Sequence, residues 1–137
     1  MDTFQVSRIN ATISKIERES NLHIVTFQTE KLSLKMMSLE LQKDVAVGDA
    51  VVLFVKATTV GIAKDIHGEL SFSNQIPVRV KTLTKGRLLT SLLLEAHDFS
   101  LESLITTEST DKMQLKEEEQ LIALIKSSDL SIVEYLS

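Results

Sequence analysis

The sequence predicts an all-β chain built from two tandem units, each a small barrel or curled sheet with short helical turns. Three observations carry this. Val51–Ala63 overlays Leu121–Val133 without a gap, at an offset of 70 residues set by Lys56 and Lys126. Ile9–Ile13 overlays Ile76–Val80 at an offset of 67, and internal repetition of this kind defines the unit of folding. The apolar runs are short, rich in β-branched residues and partly alternating, which favours strands over helices.

Residues 1–70 form the first unit and 71–137 the second. Each opens on a period-two stretch, passes through a second apolar run (Leu22–Phe27; Leu88–Leu94), and closes on a third run with a short alternating tail. Ser38–Asp44 and Glu108–Lys112 read as short helical turns, and Gly48-Asp49 as a tight turn into the next strand. By propensity Lys116–Lys126 would pass for a helix; its equivalence to Val51–Val55 makes its apolar part a strand. The offsets leave about three extra residues in the second unit, placed in the loop around His97-Asp98-Phe99-Ser100. The acidic run Glu117-Glu118-Glu119 replaces the turn Val47-Gly48-Asp49 and reads as a solvated loop.

Val51–Val55 and Leu121–Ile125 have no polar face, so they are expected to be buried on both sides. Units this small are marginal alone. Packing between repeats, between chains, or both follows, and a homo-oligomer is predicted.

Composition excludes several functions. No run approaches the roughly 20 apolar residues of a membrane helix, and Met1-Asp2-Thr3-Phe4 carries no export signal, so a cytoplasmic protein without membrane insertion is expected. A net charge of −4, five Phe, one Tyr and no Trp suit neither phosphate contacts nor base stacking, so nucleic acid is not an expected partner. With no cysteine there is no thiolate chemistry, and His23, His67 and His97 are scattered. No nucleophile–base pair or nucleotide loop is present, so no enzyme is predicted.

What stands out is a set of small hydrogen-bond donors. Lys56-Ala57-Thr58-Thr59 and Lys126-Ser127-Ser128-Asp129 end the two core strands with a cation followed by small residues. Thr106 and Ser109, three apart, are spaced to serve the free N–H groups at the start of a short helix. Ser71, Ser73 and Asn74 gather before the alternating run Ile76, Val78, Val80. Each cluster has an ordinary structural alternative: edge-protecting lysines, a helix cap, and a polar linker.

These segments resemble the molybdenum-pterin-binding (Mop) domain, also called the TOBE domain, and their tandem order is similar to two-repeat molybdate-binding proteins. Ser71-Phe72-Ser73-Asn74-Gln75-Ile76 matches the family's opening Ser-Ala-Arg-Asn-Gln-Leu, without its arginine. Lys56-Ala57-Thr58-Thr59-Val60 and Lys126-Ser127-Ser128-Asp129-Leu130 match its closing Lys-Ala-Ser/Thr-x-Val, and Ile105-Thr106-Thr107-Glu108-Ser109 its central Ile-Thr-x-x-Ser. The resemblance implies OB-like β-barrels, symmetric oligomers, and molybdate or tungstate held at interfaces. A site would join Ser71, Ser73 or Asn74 and Lys126, Ser127 and Ser128, or Lys56, Ala57 and Thr58, to Thr106 and Ser109 of a neighbouring unit. The first repeat departs from the pattern, with Met36 and Leu39 laid opposite Thr106 and Ser109, and no clear match in Phe4–Ile9.

The residue types suit such an anion. A fully deprotonated tetrahedral dianion offers acceptors only, and Ser, Thr, Lys and backbone N–H are donors. One lysine at about 4 Å, at an effective dielectric near 20, contributes roughly 4 kcal/mol per unit of anion charge before desolvation. Glu108 and Asp129 must then point away, which strand alternation at Ser128 and Asp129 would allow. The sequence leaves a second reading open: an interaction or regulatory module that kept the fold and lost its anions.

Overall fold

The computed structural model describes residues 6–42 and 44–136, so Met1–Phe4, where no export signal was read, lies outside the described residues. The first half forms β1 (Arg8–Glu19), β2 (Leu22–Gln28), β3 (Ser33–Ser38), β4 (Ala50–Val55) and the short β5 (Gly61–Ala63). The second half forms β6 (Asn74–Lys85), β7 (Leu89–Glu95), β8 (Ser100–Thr106), helix α1 (Thr107–Lys112), β9 (Gln120–Ile125) and β10 (Leu130–Tyr135). A 3-10 turn precedes each tail strand, at Ala57–Thr59 and Ser127–Asp129.

The alternation read at the start of each unit is the inward face of its longest strand. Ile9, Ala11 and Ile13 of β1, and Ile76, Val78 and Val80 of β6, point into one continuous core. Both strands carry a bulge just after that face, between Ile13 and Lys15 and between Val80 and Thr82, which bends them. The carbonyl at each bulge accepts a turn N–H: Gly48 N to Ile13 O at 2.8 Å, Glu118 N to Val80 O at 2.7 Å. Both donors have positive φ, 100° at Gly48 and 73° at Glu118, so the second repeat holds a non-glycine residue where the first uses glycine.

The sheets are not the sequence units. One has strand order β10-β4-β1-β2-β3 and the other β5-β9-β6-β7-β8, so each unit's tail strand completes the other unit's sheet. Gly61 pairs with Leu124, and Ser131, its counterpart, with Phe54. In its sheet β4 lies between β10 and β1, and Val51, Val52, Leu53 and Val55 are buried while Phe54 is half-buried, so both faces of the unbroken apolar run are largely covered.

A second pair of bonds ties the halves. Asn74 spends its carboxamide on β3, accepting from Lys35 N at 2.7 Å and donating to Lys35 O at 2.9 Å. At the equivalent place in the first repeat, Ser7 N donates to Ser100 O at 2.8 Å and Ser7 Oγ accepts from Glu102 N at 3.1 Å. Backbone and hydroxyl thus do in one repeat what an asparagine side chain does in the other. The β2–β3 and β7–β8 turns also meet, with His97 Nε2 3.5 Å from Glu30 Oε1 and Glu30 N bonded to Asp98 Oδ2 at 3.2 Å. Glu30 and His97 occupy the same position in the two repeats, so they face one another across a local two-fold axis.

Three expectations are corrected here. The extra residues of the second repeat do not lie around His97–Ser100, because both turns are the same length: Thr29 N bonds Leu32 O as Ala96 N bonds Phe99 O. They lie between β8 and β9, where the second repeat inserts α1. Ser38–Asp44 is not helical among its described residues; Ser38 ends β3 and the chain runs on irregularly. The acidic run 117–119 is not simply solvated either, since Glu117 accepts from Leu83 N, Glu118 pairs with Arg79, and Glu119, 13% exposed, pairs with Lys64.

Candidate functional site

Strand exchange decides which donor clusters meet. Asn74 is registered opposite Ile125, so Ser73 and Lys126 flank the same sheet corner. Ser71, Ser73 and Lys126 are exposed, Ser127 is half-buried, and Asn74 is buried to 1% and committed to Lys35. The 127–129 turn packs against β3 of the first repeat. There Ser128 lines a cleft of about 450 Å³ with Met36, Met37, Leu39, Leu41 and Tyr135. Of the Lys126 turn, Ser128 thus faces a mixed wall within the chain, in which Ser38, Glu40 and Ser131 accompany the apolar residues.

The Lys56 turn faces a different wall. Ala57–Thr59 packs against β8 of the second repeat, where Ser103 Oγ donates to Val60 O at 2.6 Å. The turn is closed by Thr59, whose N–H and Oγ1 donate to Lys56 O at 3.0 and 2.8 Å. Ala57 and Thr58 open it, so their N–H groups have no carbonyl inside it to bond. β8 runs directly into Thr106, which caps α1: its Oγ1 accepts from Ser109 N at 3.1 Å and donates to Ser109 Oγ at 3.0 Å. Thr106 is exposed and Ser109 half-buried. Within one chain the Ala57–Thr59 turn therefore packs on the strand that ends at Thr106, and Ala57 borders a pocket shared with Ser7, Ser91 and Glu102.

The strand registers also revise the repeat equivalences. Leu34 and Leu101 pair with the equivalent residues Phe27 and Leu94, so β3 and β8 still follow the offset of 67. Thr106 thus corresponds to Leu39, and Met36 to the buried Ser103; the pairing of Met36 with Thr106 and Leu39 with Ser109 does not hold. Leu39, 64% exposed, stands where the second repeat has its capping threonine. Of the opening Phe4–Ile9, Phe4 and Gln5 lie outside the described residues, while Ser7 is the counterpart of Asn74.

Asp129 does not sit on a strand, so alternation cannot turn it aside; it closes the second 3-10 turn through its N–H to Lys126 O at 3.0 Å. Glu108 lies in the first turn of α1 and is exposed. Sequence reading missed Lys64 altogether. Its Nζ donates to Met113 O at 3.0 Å and pairs with Glu119 Oε2 at 2.7 Å, tying the first repeat's tail to the loop after α1. The available signal was a lone lysine just past the tail strand, opposite an acidic run.

Two carboxylates in the second repeat are held below the usual range. Glu95 is lowered first by its hydrogen bond from Arg79, at 2.6 Å, and then by Lys81; Glu119 is lowered chiefly by Lys64. A folded pKa below the unfolded one gives stability that is present above the ordinary carboxylate range and lost as pH falls through the depressed value. The urea midpoint is therefore expected to stay level from about pH 8 to 6 and to decline below about pH 4.5. Glu119→Gln should shrink that decline. Among the described residues, no cluster of His, Asp or Glu is arranged to hold a metal ion, and no helix is long and apolar enough to cross a membrane.

An all-β pair of cross-completed barrels bearing lysine-led turns defines the class of molecule, and the comparisons agree. Residues 70–132 match the TOBE domain family model. A structural match follows for the whole fold. ModG, described as a cytoplasmic molybdate-binding protein and crystallised with molybdate bound, superposes with a TM-score of 0.88. It is 24% identical, and the match covers 96% of this chain and 98% of that one. No curated protein matches the chain in sequence.

Proposed function

We propose that this chain is a cytoplasmic, non-catalytic binder of a small tetrahedral oxyanion, molybdate or tungstate, acting in storage, homeostasis or sensing. The observation that carries the reading is the cross-packing of the Lys56-Ala57-Thr58 turn on β8, the strand that leads to Thr106 and Ser109. In this reading that packing turns lysine, backbone N–H and hydroxyl donors from two repeats toward one dianion, with the Glu102 carboxylate beside Ala57 engaged by Ser91 Oγ at 3.0 Å. The likeness to a molybdate-loaded protein over nearly the full length of both chains supports the same ligand.

In this reading the two lysine turns are unequal. The Lys56 turn packs on the strand leading to Thr106 and Ser109, whereas Ser128 meets Met37, Ser38 and Leu39, and Lys126, Ser127 and Ser128, with Ser71 and Ser73, take further donors from a second copy. Asn74 acts by holding β6 to β3. Homo-oligomers are expected, with the anion at interfaces.

Isothermal titration with molybdate, tungstate, sulfate and phosphate tests this. Molybdate uptake weakened at least about tenfold by Lys56→Ala is the expected result, on the scale of a charge-assisted contact. A larger loss in Lys126→Ala than in Lys56→Ala would move the site to the other turn. A specific observation also favours the second reading, an interaction module: the first repeat has Leu39 where a hydroxyl stands in the second. Indifference to all four anions would establish that reading instead.

A further inference from the structure

The acidic loop and the first tail strand converge on α1 from outside the donor cluster. Segment 56–64 lies along the second repeat, with Gly61–Ala63 paired to β9 and contacts at both ends. Its start is the Lys56 turn against β8; its end is Lys64, whose Nζ lies 3.0 Å from Met113 O and 2.7 Å from Glu119 Oε2. Met113 is the residue that closes α1, and its N–H donates to Ser109 O at 2.9 Å. Ser109 N in turn donates to Thr106 Oγ1 at 3.1 Å. A chain of three hydrogen bonds thus runs from the Lys64 ammonium through α1 to the two hydroxyls at its other end. The ammonium also sits at the carbonyl end of α1, where a cation is favoured. Glu119 is itself fixed by accepting from Lys116 N at 3.2 Å.

Among the described residues, the first repeat's sheet has no such clamp. The position equivalent to Lys64 is Glu134, which bonds Arg8 at 3.2 Å instead. Among the described residues, this ammonium clamp accompanies the helix with Thr106 and Ser109.

We propose that Lys64 is a positioning residue for the oxyanion site: it clamps α1 and segment 56–64 together, holding Thr106 and Ser109 in register with the Lys56 turn. The role rests on the site proposed above. Lys64 does not touch the anion, so its removal leaves the donor set intact and loosens its geometry. Groups that orient ligands from behind are typically worth about 10–100-fold in affinity at metal sites, and the lower end applies to a half-exposed clamp.

The test is calorimetric titration of the full chain with sodium molybdate, below the melting temperature of every variant. Lys64→Met is expected to raise Kd about tenfold, and Lys64→Arg, which restores the charge and both bonds, to stay within about twofold. Amide hydrogen exchange over residues 107–113 should quicken in anion-free Lys64→Met while β6 and β7 exchange as before, a pattern that general destabilisation would not give. If Lys64→Met does not fold, Glu119→Gln keeps the shape, removes the counter-charge, and should shift Kd and α1 exchange in the same direction. Unchanged Kd and unchanged α1 exchange, with molybdate uptake intact, overturn this role alone. Absence of molybdate uptake by the unaltered chain, or uptake indifferent to Lys56→Ala, overturns the site and this role with it.

Discussion

Residues 71–137 produced alone are expected not to fold as a monomer. The reason is the exchange of tail strands. Without the first half, β9 loses β5 along one edge, and β10 has no β4 to pair with. Leu130, 3% exposed, leaves a core that no longer exists, and Val60, 2% exposed, is missing from the one that remains. Ser103 Oγ, fully buried, loses its carbonyl acceptor at Val60. Burial of each such aliphatic side chain contributes about 1.5–3 kcal/mol, and an orphaned buried hydroxyl costs about 1–3 kcal/mol. A core of this size rarely supplies more than about 3–5 kcal/mol in total. Circular dichroism and light scattering should show an unfolded chain or a dimer that recovers the exchange between copies; adding residues 1–70 should restore the native signal. A monomeric fragment with a cooperative melt would contradict the topology.

Asn74→Ala is expected to be among the most damaging single changes at a polar residue. The side chain is buried and makes two hydrogen bonds to one residue, Lys35, of the other half. Truncation leaves the Lys35 N–H and C=O without partners in a part-buried place, at about 1–3 kcal/mol each, on a total stability of order 5–15 kcal/mol. Denaturant midpoints should drop accordingly. Anion affinity measured on the molecules that remain folded should change little, which separates a residue that holds the repeats together from one that holds a ligand. A collapse of affinity with unaltered stability would reverse that assignment.

Much of the fold was legible because repetition constrains register. The offsets of 67 and 70 reappear as strand pairings, Ile9 opposite Leu53 and Ile76 opposite Ala123. The unbroken apolar runs at 51–55 and 121–125 are strands whose two faces are largely covered, with Phe54 and Ile122 half-buried. Other features could not be read. β3 and β8 were missed because Leu34-Lys35-Met36 and Leu101-Glu102-Ser103 are too short to stand out against their turns. The strand at Ser127–Asp129 proved to be a 3-10 turn, since three small residues carry no period. The exchange itself leaves no local mark: Gly61–Ala63 would pair with a β9-like or a β4-like edge equally well, and the route of the connecting chain decides. For the candidate site, the residue types were visible but their companionship was not. Motif order left either lysine turn as the partner of Thr106 and Ser109, and the exchange packs the Ala57–Thr59 turn on the strand that leads to them.

The meeting of Glu30 and His97 has a further implication. Two separate, identical one-unit chains joined across the same axis would bring each residue there against its own copy, so a carboxylate would confront a carboxylate. Opposite partners at one position are reachable only once both units share a polypeptide and can mutate independently. The tether between the repeats therefore does more than raise their local concentration. It releases the contacts on the axis from self-complementarity, and the same freedom allows a hydroxyl at Thr106 in one unit and Leu39 at the equivalent place in the other.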